Sequence, residues 1–149
     1  AAKKRDVESQ FVAPLTTRVA GYLERLYGEG TAVFIDYEGG RFSRLRLSRR
    51  GVGEVAFEFS QLSSGAREQV SAAFRLAMAE VLAEDHGGTL PVVFDDAFVN
   101  TDTERQKALQ RMLDLAASRG LQVIVLASRP EAYEGLGAAM IAVDSNPFG

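Results

Sequence analysis

The 149-residue chain contains no cysteine, a single histidine and no Gly-Lys dipeptide. Without cysteine there are no disulfides and no thiolate metal sites, a composition that fits a reducing cytoplasm. The single histidine, His86, stands beside Gly87-Gly88 and reads as an exposed helix end. Without Gly-Lys the chain has no G-x-x-x-x-G-K-[ST] loop, the arrangement whose backbone N–H groups and lysine cradle nucleotide phosphates. No apolar run approaches the ~20 residues that span a bilayer, so no membrane association is expected. The polar opening Ala1-Ala-Lys-Lys-Arg-Asp lacks a signal peptide's apolar stretch. It also lacks Met, so the first residue is expected to be a boundary within a longer chain or a cleavage point. A net charge of −3 argues against a globally basic coat for nucleic acid, though not against local basic faces.

What is present suits one domain, residues 1–149, long enough to bury a core. In residues 3–27, Val7, Phe11, Leu15, Val19, Tyr22 or Leu23, and Leu26 recur at steps of three and four, which predicts an amphipathic helix. Pro14 must kink or restart it, and Gly28 and Gly30 end it. Three strands are expected at Ala32–Asp36, Phe42–Ser48 and Val52–Phe59, with hairpin turns at Gly39-Gly40 and Gly51 to Gly53. In the second, Leu45 and Leu47 share one face and Arg44 and Arg46 the other, a half-buried antiparallel pattern.

From Ala66 to about Ala83 a helical stripe of Val70, Ala73, Phe74, Ala77, Met78 and Val81 follows, stopped by Gly87-Gly88. Pro91–Phe94 is continuously apolar and is expected as a strand buried on both faces of a parallel sheet, with Leu121–Leu126 as a second buried strand. Thr101-x-x-Glu104 reads as a capping box for a helix to about Ser118, ended by Gly120. A helical turn at Pro130–Tyr133 and a last strand at Ala139–Val143 complete the order. The class expected is α/β: a mixed sheet with a parallel segment, flanking helices and N-terminal β-hairpins.

Four places carry chemistry. Leu62-Ser63-Ser64-Gly65 opens directly onto a helix, whose unpaired N–H groups and dipole attract anions. Ser63 and Ser64 add hydroxyls, and Gly65 allows close backbone approach to a phosphate; an ordinary Ser-capped helix is the structural alternative. Asp95-Asp96 ends a strand, and adjacent carboxylates repel unless a proton or a cation such as Mg²⁺ relieves them; a solvated acidic turn is the alternative. Asn100-Thr-Asp102 uses residues common to any helix cap. Ser128-Arg129-Pro130 follows a strand, and Arg129 carries a fixed charge suited to phosphate. In addition, Arg41, Arg44, Arg46, Arg49 and Arg50 form the densest basic cluster, either a DNA-backbone contact or a solvated outer face.

Taken in this order and at this spacing, these segments resemble the C-terminal lobe of an ABC-type ATPase head. The likeness is to the SMC, SbcC and YhaN-like DNA-associated group and covers essentially the whole chain. It implies that Leu62, Ser63, Ser64 and Gly65 are the signature motif, contacting in trans the ATP bound to an opposite head. Asp95 becomes the Walker B carboxylate that orients Mg²⁺, and Asp96 the general base. Asn100 and Asp102 lie in the D-loop, and Arg129 takes the switch position usually held by His. The family form is L-S-G-G-Q or L-S-G-G-E, so Ser64, Ala66, Asp96 and Arg129 are departures from it.

The resemblance further implies that residues 1–27 lie at the return of a coiled coil. The implied partners are an N-terminal Walker A lobe, a second head, DNA and a nuclease. ATP hydrolysis with Mg²⁺ would then require both lobes, in a cytoplasmic, nucleoid-associated setting of chromosome maintenance or DNA double-strand break repair. Two other readings are a non-hydrolysing module that engages on ATP, and a transporter's nucleotide-binding domain. The latter should carry a helical subdomain where this chain has hairpins.

Overall fold

Leu15, Val19, Tyr22 and Leu23 are the buried residues of the first long helix, α1 (Ala13–Tyr27), as its periodicity predicts. A π-helical turn, Glu8–Val12, precedes it, and Pro14 occupies its first turn, where a missing N–H costs nothing. The restart expected at Pro14 is thus observed. The chain is described by a computed structural model for residues 8–38, 41–48, 57–86, 90–95, 97 and 102–143. The start of the expected first helix, both hairpin turns, Gly87-Gly88, Thr101, Asp96, Asn100, Arg49 and Arg50 lie outside the described residues.

After Gly28, which adopts a φ of 90°, come β1 (Ala32–Glu38), β2 (Arg41–Ser48) and β3 (Phe57–Glu58). They form an antiparallel sheet in the order β1-β2-β3, with Val33 opposite Leu47 and Leu47 opposite Phe57. Leu47 is buried and Leu45 packs against the core, as the alternation requires. The expected third strand is described only from Phe57, and Phe59 already belongs to a 3₁₀ turn, Phe59–Gln61.

Helix α2 (Ser64–His86) begins two residues earlier than its apolar stripe suggests. Its first turn is closed by Ser63, whose hydroxyl accepts from the Ala66 N–H at 3.3 Å and whose carbonyl accepts from Arg67 at 2.9 Å. Beyond the predicted stripe, Ala72, Leu76 and Ala79 are also buried, so α2 is a central helix rather than an amphipathic surface one. Helix α1 packs on both α2 and the later α3 (Thr103–Ser118). The α3 cap is Asp102, not the predicted Thr101: its carboxylate accepts from the Arg105 N–H at 2.9 Å. Gly120, with a φ of 91°, ends that helix as expected.

The parallel segment is β4 (Pro91–Asp95) beside β5 (Gln122–Leu126), in register Val93 to Ile124 and Asp95 to Leu126. The antiparallel and parallel parts expected of an α/β fold are both present, and among the described residues they form two sheets. Burial on both faces is not observed. Val92 and Phe94 enter the core, whereas Val93 (41%), Ile124 (37%) and Leu126 (48%) remain exposed on the opposite face. The helices cover one side only, so the apolar run alternates in burial though not in composition. The last expected strand is absent as well: residues 139–143 are irregular, and Ile141 (84%) and Val143 (86%) are exposed. A strand needs a neighbour to pair with, and none is present for this segment among the described residues. A 3₁₀ helix, Pro130–Leu136, extends the expected turn.

Candidate functional site

The signature-like segment lies at the α2 N-terminus, with Ser63 and Ser64 exposed and Leu62 and Gly65 half-buried. One of the free N–H groups, that of Ala66, is already taken by Ser63. A second element reaches this point from α3. A Cβ placed on Gly65 would lie 2.7 Å from an Nη of Arg105, closer than real Cβ contacts come. The Arg105 side chain pairs with Asp102, whose carboxylate lies 3.2 Å from Nε while capping α3 through the Arg105 N–H. The segment ending in Gly65 and the α3 cap Asp102 thus meet at one guanidinium. Nothing in the sequence reading singled out Arg105; the Asp102-x-x-Arg105 spacing was the available signal.

Asp95 is exposed at the C-terminal end of β4, the end at which sites form in open α/β sheets. Its partner in register is Leu126, so the turn bearing Ser128 and Arg129 leaves from the same end of the sheet. Arg129 is exposed, and its carbonyl accepts from Ala132 at 3.3 Å, which starts the 3₁₀ helix. Strand β4 is tied back to α2 by Arg75, which donates to the Val93 carbonyl at 2.8 Å and stacks over the Phe94 ring at 4.9 Å. The arrangement has two halves, one where the α2 N-terminus meets the α3 cap and one at the strand ends, connected by α2 and by the chain from β4 to α3.

Among the described residues no cluster of three or more His, Asp or Glu side chains could cage a metal. The single carboxylate of Asp95 does fit Mg²⁺ carried by nucleotide phosphates, since that ion keeps several waters and takes few protein ligands. A groove of about 710 Å³ lies elsewhere, between the hairpin sheet and α2, lined in part by Ile35, Leu45, Phe59 and Phe74.

Of the basic cluster, Arg44 pairs with Glu58 at 3.5 Å and Arg46 with Asp36 at 3.2 Å. Two of the five arginines are therefore partly neutralised, which weakens them as a phosphate track. The side chain of Arg41 lies outside the described residues.

No protein-family model matches the chain. The uncharacterized protein Rv1278 of Mycobacterium tuberculosis (strain H37Rv) is 31% identical over 146 residues, as is the uncharacterized protein Mb1309 of Mycobacterium bovis. Each match covers 97% of this chain but only 16% of the relative's length. In three dimensions the chain is similar to the Smc head domain with an extended coiled coil bound to the C-terminal domain of ScpA, from Pyrococcus furiosus. That match has a TM-score of 0.65 at 14% identity and covers 91% of this chain and 33% of the other. The SMC head domain of Thermotoga maritima matches at a TM-score of 0.57 and 18% identity, over 89% of this chain and 45% of the other. A structure described under ATP-driven dimerization and DNA-stimulated activation of SMC ATPases matches at 0.63 and 15% identity, over 85% and 73%.

This chain has the fold of part of an SMC-type ATPase head. No described helix is long and apolar enough to cross a membrane.

Proposed function

We propose that residues 1–149 are the C-terminal lobe of a split ABC-type ATPase head of the SMC, SbcC and YhaN-like group, with residues 1–27 at the coiled-coil return. The lobe supplies the signature, Walker B and D-loop to a composite Mg-ATP site that forms when two heads engage. Asp95 orients Mg²⁺ through its waters, Asp96 polarises the attacking water, and Ser63 and Gly65 meet the phosphate of the partner head's nucleotide. DNA and a nuclease are the partners this role calls for, in cytoplasmic chromosome maintenance or repair.

One observation carries the reading: a two-stranded parallel sheet whose outer face is apolar and, among the described residues, uncovered, and whose C-terminal end presents Asp95. Parallel sheets are stable when covered on both faces. The missing cover and the missing phosphate loop are explained together if a second lobe supplies both. The chain's 16% share of the mycobacterial relatives' length agrees with that.

A non-hydrolysing engagement module is the second reading. It is favoured by Arg105, whose cation beside Gly65 suits phosphate binding without requiring turnover.

Calorimetric titration tests the proposal. Mg-ATP added to this chain alone should give no saturable heat below about 1 mM. Addition of a phosphate-loop lobe from the same protein should create binding and hydrolysis. Micromolar binding with turnover by the chain alone contradicts the split head, and hydrolysis distinguishes the enzyme from the engagement module.

A further inference from the structure

Tyr133 is buried in the 3₁₀ helix after β5, and its hydroxyl donates to the carbonyl of Ala97, 36 residues away. Burying a hydroxyl is unfavourable unless it is hydrogen-bonded. Here the acceptor belongs to a connecting segment, so the bond acts on where that segment lies. The Tyr133 end is itself anchored. The neighbouring Ala132 carbonyl accepts from Gln106 at 2.5 Å and Gln110 at 3.2 Å, both on α3. The chain is therefore held two residues beyond Asp95 by a fixed point, and that point belongs to the turn that begins at Arg129.

We propose that Tyr133 is a positioning residue: its bond to Ala97 sets how the chain leaves β4, and so where the carboxylate end of that strand points. This rests on the half-head reading for its consequence in ATP hydrolysis. Tyr133 contacts neither nucleotide nor metal in this account. It acts by tying the strand end that holds Asp95 to the turn that holds Arg129, so that both face the nucleotide in one arrangement.

The test uses the full-length protein and Tyr133→Phe, which keeps the ring and removes only the donor. The hydrolytic kcat should fall about 10-fold at unchanged KM for ATP, because misplacement of reacting groups acts on turnover. The Mg²⁺ concentration for half-maximal activity should rise. The thermal midpoint should shift by no more than about 4 °C. Hydrogen exchange should quicken in peptides covering Val93 to Ala97 and stay unchanged in α3. A Tyr133→Phe protein with native kcat, Mg²⁺ response and exchange overturns the assignment. If the unmodified protein does not hydrolyse ATP, the hydrolytic reading of the half-head fails instead, in favour of the engagement module, and the exchange comparison decides for or against Tyr133.

Discussion

The guanidinium of Arg105 occupies the space that a side chain on Gly65 would need, with an Nη 2.7 Å from the Cβ position. The glycine thus serves contact within the lobe as well as approach to a ligand. A cation at a helix N-terminus opposes the helix dipole, and Asp102 offsets that conflict by pairing with it.

Gly65→Ala must displace Arg105, whose side chain is half exposed and can shift at the cost of a surface ion pair to Asp102. The lobe should stay within about 1 kcal/mol of its original stability, since alanine favours the helix. ATP-dependent head association should weaken about tenfold, a change of 1.4 kcal/mol. Removing the clash with Arg105→Ala in the same protein should recover most of it. Sedimentation of the single and double variants with Mg-ATP is the check; a double variant no better than Gly65→Ala would assign the glycine to the phosphate alone.

The bare face of β4 and β5 predicts an asymmetric response at Ile124. Ile124→Lys replaces an exposed side chain, so this chain alone should change by no more than about 0.5 kcal/mol in urea unfolding. Its association with the complementary lobe should be lost, because the lysine would be buried without a partner. Equal binding by native and variant chains would move the lobe interface to another face.

Much of this fold was legible. Val70, Ala73, Ala77 and Val81 mark the buried side of α2, and Leu45 and Leu47 mark the inner side of β2, because local periodicity reports which way side chains point. The failed burial expectations have one cause. Val93, Ile124 and the residues from Ala139 to Val143 have the composition of buried strands, but burial depends on a neighbour. The site was legible as an order of short segments. Its cross-links, Arg105 to Gly65 and Tyr133 to Ala97, were not, since contacts some 40 residues apart are decided by helix packing.

Helices α1, α2 and α3 meet at Glu80, which forms an ion pair with Arg18 at 3.0 Å and accepts from Arg119 at 3.4 Å and from the Tyr22 hydroxyl. Burial raises the Tyr22 pKa well above its ordinary value, and the hydrogen bond to Glu80 raises it further. A raised folded-state pKa means that this stabilisation is complete below the unfolded value near 10 and is lost as pH climbs above it. Stability should therefore fall with a slope of up to about 1.4 kcal/mol per pH unit above pH ~10 from this group. Tyr22→Phe should cost about 1 kcal/mol at neutral pH and flatten that alkaline slope. Urea unfolding at a series of pH values measures both; an unaltered slope in the variant would assign the alkaline loss to other groups.

Asp96→Asn in the complete head should slow hydrolysis by about 100-fold or more, the scale of a lost general base. ATP-driven engagement should persist or lengthen, because the nucleotide is no longer consumed. Single-turnover kinetics with an association assay separates the two effects, and an unchanged rate would place the base at another residue.

The central claim is that signature and Walker B carboxylate serve different nucleotides. Complete heads bearing Ser63→Arg and complete heads bearing Asp95→Asn should each be inactive alone, while the first still binds ATP as a monomer. Mixed, they can form pairs in which one composite site keeps both motifs intact. At equal concentrations ATPase activity should return to as much as about a quarter of the unmodified level, from one working site in half of the pairs. No recovery at any mixing ratio, with both proteins folded, would contradict the composite site.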